Sequence, residues 1–299
     1  MGVRYRIRHQ TLYGYRSDVV HSHQLLHLVP RPAPYQQCLE HAIEIAPEGY
    51  RRTDEVDAFG NPVTRIELMQ PHRDLAVTSV MEVLVYPRPP LPAALSVPWE
   101  QARSMLTYHG SWPARAILEA GRFRHESAYV RIKRAFTDYA ADCFGEDEPI
   151  LVCAEALMSK LHRDMRYTPG ATSINTPLIE VLASRRGVCQ DYAHLMIACL
   201  RSYGLAARYV SGYVRSLPPC SDEDAMRLVG GAASHAWVAV YAPPLGWVEL
   251  DPTNDTRVGT DHVAVAWGRD FGDVSPLRGI ILGGGTHQLS VSVSVESLN

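Results

Sequence analysis

The repeat length of the hydrophobic pattern switches along the chain and then switches back, and this limits the fold more than any other feature. In VRYRIRHQTLYGY, Val3, Tyr5, Ile7 and His9 alternate with Arg4, Arg6, Arg8 and Gln10, the two-residue period of a strand with one solvated face. CLEHAIEIAP repeats the pattern through Leu39, His41, Ile43 and Ile45, FGNPVTRIELM adds a turn at Gly60-Asn61-Pro62 and a further strand, and LAVTSVMEVLVYPRPP adds a longer strand ended by prolines. These elements predict a β-sandwich or barrel-like domain over residues 1–92. The proline-rich RPPLPAALSVPWE reads as a linker. Helical patterns follow in PARAILEA from Pro113, SAYVRIKRAFTDYAADCF from Ser127, PILVCAEALMSKLHRDM from Pro149 and TPLIEVLAS with Thr176 as its cap. After Tyr203 strands return, ending in the alternating VSVSV of 291–295. The fold class is therefore α+β. A linker and helical segment spans 93–148, and a core of helices packed on an antiparallel sheet, with C-terminal strands, spans 149–299.

Composition narrows the function. The 299 residues carry 29 Lys+Arg against 32 Asp+Glu, a balance that argues against a nucleic-acid footprint. No apolar run approaches the roughly 18 residues of a membrane span, and MGVRYRIRHQ has no apolar leader, so no membrane association is expected. The six cysteines, at 38, 143, 153, 189, 199 and 220, form no CxxC pair. A reducing cytoplasm is the simplest compartment, with thiols available for chemistry.

Three segments carry the chemistry. In GVCQDYAHLMIACLRSYGL, positions 189, 192, 193, 196, 197 and 200 form one apolar helical face, with Arg201 in the last turn and Gly204 as the stop. Cys189 then sits in the first turn, where unpaired N–H groups and the dipole favour thiolate. Gly187 allows a sharp bend and leaves room for substrate. SHAWVAVYAPPLG and GWVELDPTN read as a β-hairpin turning at Pro243, Pro244 and Gly246, which puts His235 opposite Asp251 or one diagonal step away, with Cβ atoms ~4.5–8 Å apart. A carboxylate there orients the imidazole, and the imidazole takes the thiol proton. Asp191 reads as support for the helix, through its dipole or a pair with Arg208.

These segments, with ARYVSGYV, HVAVAWGRDFGDVSPLRG and the opening YRIRHQTLYGY and LVPRP, resemble the transglutaminase-like superfamily of papain-like architecture, in its bacterial form with an N-terminal β domain. The resemblance extends over nearly the whole chain. It implies Cys189 as nucleophile, His235 as general base and acid, and Asp251 as the orienting carboxylate. It further implies an oxyanion or cleft set with Tyr167 as an aromatic donor, Gln190 beside the nucleophile and Trp237 lining the acyl pocket. The expected activity is acyl transfer on amide or peptide bonds of a protein or peptide substrate through a thioester, as in a protease, amidase or transglutaminase. Acyl transfer from coenzyme A and a scaffold with an inert triad are the alternatives. No cofactor is expected.

Other features are set aside. In HSHQLLH, His23 and His27 would share a helical face, but no local carboxylate or cysteine completes a metal set, and none is expected. The glycines at 283–285 read as a flexible turn, and residues 222–234 as a polar loop that could act as a lid.

Overall fold

The computed structural model describes residues 2–110, 113–215 and 234–298; the proposed lid, apart from Ser234, and Cys220 lie outside them. Strands β1 (Val3–Leu26), β2 (Gln36–Ala46), β3 (Arg51–Val56), β4 (Pro62–Leu68) and β5 (His72–Val85) come first. Helices α1 (Trp99–Met105), α2 (Arg115–Gly121), α3 (Arg134–Ala140) and α4 (Ile150–Asp164) follow. Then come β6 (Arg166–Tyr167), α5 (Leu178–Ser184), β7 (Arg186–Gly187) and α6 (Cys189–Ser202). The chain continues through β8 (Ala207–Val214), β9 (His235–Ala242), β10 (Gly246–Asp251), β11 (Thr256–Arg257) and β12 (His262–Gly268), and closes with α7 (Phe271–Val274), β13 (Leu277–Gly283) and β14 (His287–Ser297). The whole is mixed α/β and rich in sheet.

The first domain, expected as a β-sandwich or barrel-like unit, is one curled antiparallel sheet of seven strands. Long β1 runs through its middle. Its first half pairs with β5 on one side and β14 on the other, and its second half with β4 and β13. The C-terminal strands, expected with the core, thus complete the N-terminal sheet. The physical cause is length: β1 offers a ladder of donors and acceptors on both sides, and the chain end fills the open one.

A crease crosses this sheet where β1 shifts register between Gly14 and Val19. Of the glycines at 283–285, Gly283 ends β13 within the ladder, while Gly284 and Gly285 lie in the turn into β14, which is hydrogen-bonded to β1. Gly284 N–H donates to Asp18 O at 3.0 Å and Ser17 N–H to Gly284 O at 3.2 Å. Gly283 has φ 98°, and a Cβ on it would lie 2.4 Å from Asp18 O. The curl encloses its own core of Tyr15, Val19, Leu26, Ile66, Leu75 and Val77.

The second sheet has the order β11-β10-β9-β8-β12, and α6 packs on it. Sequence periodicity predicts one apolar face for α6, but Asp191 through Arg201 are all buried. This is a central helix, surrounded by α3, α4, α5 and the sheet. Its polar side chains are accordingly paired: His194 Nε2 accepts Phe271 N–H at 3.1 Å, and Arg201 donates to Phe123 O, Ala207 O and Arg269 O. Gly204, at φ 76°, stops the helix as expected, with Gly204 N–H bonded to Arg201 O and Leu205 N–H to Leu200 O in the paired pattern of a Schellman motif. Residues 127–133, expected to be helical, precede α3 without regular structure.

The proline-rich segment is bound along the core. Val97 N–H donates to Pro243 O in the β9–β10 turn, and Ile150 N–H donates to Val97 O, both at 2.9 Å. The first domain also covers edge strand β12 with amide side chains. Gln36 exchanges two hydrogen bonds with Ala264, at 2.7 and 2.8 Å, and Asn61 exchanges two with Trp267, both at 2.9 Å. Tyr5, Ile7, Met81 and Val83 share a core with Leu195, Ile197 and Val238.

The crease predicts a sharp sensitivity. Gly283→Ala should lower the unfolding free energy by about 1–3 kcal/mol in guanidinium denaturation, because the left-handed backbone and the Asp18 carbonyl both oppose a side chain. Gly259→Ala, where a Cβ would meet nothing within 4 Å, should change it by less than about 0.5 kcal/mol. Equal losses at both positions would contradict this account of the crease.

Candidate active site

Cys189 is the first residue of α6, and its position is fixed by the segment just before it. Val188 is extended at φ −113°, ψ 177°, and the Asp191 carboxylate reaches back to accept Val188 N–H at 2.8 Å and the Thr172 hydroxyl at 2.7 Å. This satisfies a first-turn donor and sets the entry angle of the chain. Burial pushes the Asp191 carboxyl above its ordinary range, and the hydrogen bonds from Thr172 and Val188 pull it back. Arg208 is not its partner; that guanidinium stacks between Trp247 and Trp267, 4.2 and 3.6 Å from the ring centres. Gly187 serves Asp191 too, since a Cβ there would lie 2.5 Å from Asp191 Oδ2. The glycine makes room for the carboxylate rather than for substrate.

The Cys189 thiol is half-buried, unlike the sealed Cys153 and Cys199. Burial pushes Cys143 up to about 11 and Cys153 up to about 12. Tyr167 pairs with Gly187 across the short parallel β6–β7 ladder. Its phenol is raised by burial and then by the charge of neighbouring Cys189, as is that of buried Tyr209. Gln190, next along α6, is half-buried.

His235 opens β9 and Asp251 ends β10. The register Leu250↔Val238 and Gly246↔Ala242 makes the two residues diagonal rather than directly opposite. His235 Nε2 donates to Asp251 Oδ2 at 2.8 Å, with both side chains fully buried. His235 Nδ1 is buried without a hydrogen bond of normal geometry. Burial pulls His235 down, but Asp251 first and then Cys189 more than reverse this and raise it well above an ordinary imidazole. Burial pushes Asp251 up, but His235 and then His262 overcome it and hold the carboxyl far below its ordinary range.

Two further side chains bond Asp251, one of them signalled by the sequence and one not. His262 Nε2 donates to the same Oδ2 at 3.1 Å, and Asn254 Nδ2 at 2.7 Å. Oδ1 takes the backbone N–H of Thr253 at 3.0 Å and of Asn254 at 3.3 Å. Asp251 is thus both a turn former over DPTN and an imidazole partner. Asn254 follows from the turn signal, because an Asp accepting bonds two and three residues on is a local motif. His262 leaves no such signal, since it arrives from the opposite edge of the sheet. The fully buried Trp237 does not line an open pocket. Its ring meets His262 edge-on at 5.3 Å, and its Nε1–H donates to Glu249 at 2.8 Å.

Residues 5–84 match the bacterial transglutaminase-like N-terminal region, and residues 137–252 match the transglutaminase-like superfamily. An uncharacterized protein of Mycobacterium tuberculosis (strain H37Rv) is 38% identical over 300 residues, covering 98% of this chain and 92% of the relative. One of Mycobacterium leprae is 32% identical over 299 residues, 99% of each chain. A protein-glutamine gamma-glutamyltransferase of Pseudomonas aeruginosa is 34% identical over 109 residues, 36% of this chain and 16% of that protein. The fold matches a crystal structure from Cytophaga hutchinsonii, provisionally designated a cysteine protease, with TM-score 0.74 and 19% identity over 100% of this chain and 92% of that one. With a papain-like core joined to the bacterial N-terminal sheet, the chain belongs to the transglutaminase-like superfamily.

Proposed function

We propose that the protein is a cysteine-dependent acyl-transfer enzyme acting on carboxamide or peptide carbonyls of a protein or peptide. The observation that carries this reading is the buried His235–Asp251 pair, bonded from Nε2 to Oδ2 at 2.8 Å, together with the half-buried Cys189 thiol in the first turn of α6. His235 Nδ1 takes the thiol proton. The sulfur attacks the carbonyl carbon to form a tetrahedral adduct, whose oxyanion lies toward the first-turn N–H of Cys189 and the Tyr167 hydroxyl. His235 returns the proton to the departing nitrogen, the C–N bond breaks, and a thioester remains. Water resolves the thioester to an acid, with His235 again as base, or an amine resolves it to a new amide. The partial likeness to a protein-glutamine gamma-glutamyltransferase supports a glutamine side chain as acyl donor.

Iodoacetamide labelling at low pH, read by intact mass, tests the nucleophile. Wild type should take one label, and Cys189→Ala should take none and lose all turnover; equal labelling of the two would refute an activated Cys189. Ammonia release, set beside incorporation of a fluorescent primary amine into casein, separates hydrolysis from transamidation.

The orienting groups predict distinct pH behaviour. His235 keeps its proton above the ordinary imidazole range only because Asp251 and Cys189 outweigh burial. Asp251→Asn should therefore move the alkaline limb of kcat/KM to lower pH and cut activity on the order of 10³-fold or more. An unmoved limb would exclude this role for Asp251. His262→Ala removes one charge-assisted hydrogen bond and should cost about one to two orders of magnitude in kcat/KM. His262→Gln, which keeps an N–H donor, should recover part of the loss; identical kinetics for the two variants would leave His262 no role at Asp251.

A further inference from the structure

We propose that the outer face of the first sheet carries a transition-metal site of the zinc class, formed by His21, His23 and Glu67. The segment HSHQLLH is strand rather than helix, so it is His21 and His23, two residues apart, that share a face. Their ring centres lie 4.5 Å apart. His27 instead turns inward, with Nδ1 bonded to Ser275 O at 3.1 Å and Nε2 facing Asp57 at 3.3 Å. The carboxylate missing from the local sequence comes from β4, whose register sets Glu67 directly across from His23.

His21 Nε2 lies 3.2 Å and His23 Nε2 3.5 Å from the same oxygen, Glu67 Oε1, and the three ligand atoms all fall within 4.8 Å of one another. Ligands about 2.0–2.1 Å from a tetrahedral metal stand roughly 3.3–3.5 Å apart. Two of the three ligand–ligand edges therefore already have metal-binding length. The third, between the two imidazole nitrogens, is no longer than 4.8 Å, and the His23 side chain is 60% exposed. Two imidazole nitrogens with one carboxylate oxygen form a borderline donor set that suits zinc, cobalt, nickel or copper. It does not suit calcium or magnesium, which take mostly oxygen.

Three protein ligands leave a position open. Beside the cluster runs a cleft of about 680 Å³, lined by His23 and Glu67 and by Arg51, Arg65 and Arg278. A divalent ion balanced by a single carboxylate, next to three guanidinium groups, draws water or an anionic group as its fourth ligand. The cation is therefore held by the imidazoles rather than by the surrounding field.

The test uses the full chain purified without a polyhistidine tag and titrated with Co²⁺ and then Zn²⁺ at about pH 7.5, with Co²⁺ followed by its visible d–d bands. Because His235, Asp251 and His262 form a second possible cluster, stoichiometry is compared between proteins. Wild type should bind one more equivalent than His21→Ala/His23→Ala, and Glu67→Gln should weaken that equivalent at least about tenfold. Iodoacetamide labelling of Cys189 and the metal-free Tm should be unchanged in the variants. Equal stoichiometry and affinity in wild type and the double variant, or no binding by wild type up to about 1 mM Co²⁺, would overturn the site and leave the cluster as a surface hydrogen-bonded trio.

Discussion

A carboxylate with no solvent contact is the constraint around which the second half of the molecule is organised. An unpaired Asp251 would cost several kcal/mol in that position, and breaking a buried ion pair is among the most damaging changes a fold can suffer. Five donors prevent this, and between them they fix three parts of the chain. His235 fixes the diagonal register of β9 on β10. The two backbone N–H groups fix the turn over Pro252, Thr253 and Asn254. His262 ties in β12 from the far edge. Between β9 and β12 lies Gly212 of β8, where a Cβ would sit 2.5 Å from the Trp237 ring. The absence of a side chain there lets Trp237 pack against His262, so one glycine permits the convergence of two histidines on one carboxylate.

The sulfur is positioned by the same kind of device on a smaller scale. Asp191 is buried and stays compatible with burial because Val188 N–H and the Thr172 hydroxyl bond to it. Those bonds exist only because Gly187 leaves the carboxylate its space. A helix start held by a buried carboxylate has little freedom, and α6 is enclosed on all sides, so Cys189 cannot drift relative to the sheet that carries His235. Placement of the thiol thus follows from two residues of the segment around it, Gly187 and Asp191.

Much of this was legible in the sequence, for identifiable reasons. Period-two patterns marked the strands because one face of each meets solvent. Gly204 marked the end of α6 because a left-handed residue was needed, and the prolines at 243 and 244 marked the hairpin. Local chemistry of this kind also placed His235 within one step of Asp251. What could not be read were encounters between distant segments. Nothing near His262 announces Asp251, and nothing near His21 announces Glu67. The apolar-face reading of α6 failed because a central helix pairs its few polar groups individually with carbonyls and N–H groups, leaving no polar face. The Gly283–Gly285 run was legible only in part: Gly284 and Gly285 make the turn into β14, but glycine signals an unusual backbone, and Gly283 supplies one at the crease inside the ladder.

The two sequence segments matching separate family regions do not behave as separable bodies. Strand β12, which carries His262, is an edge, and an uncovered edge exposes its ladder groups. Gln36 and Asn61 act there as substitutes for a neighbouring strand, each lending an amide that mimics the peptide group. Tyr5 extends the contact by bonding Asp261, the residue before His262, at 3.2 Å, and His9 meets the Tyr213 hydroxyl of β8 at 2.9 Å. The first strand is in turn held by the last, since β14 pairs with β1 from Tyr5 to Tyr15. A continuous chain of contacts therefore runs from the C-terminus through β1 and the edge of the second sheet to the buried carboxylate. The N-terminal sheet is thus structurally continuous with the candidate site even though Cys189, His235 and Asp251 all lie outside it.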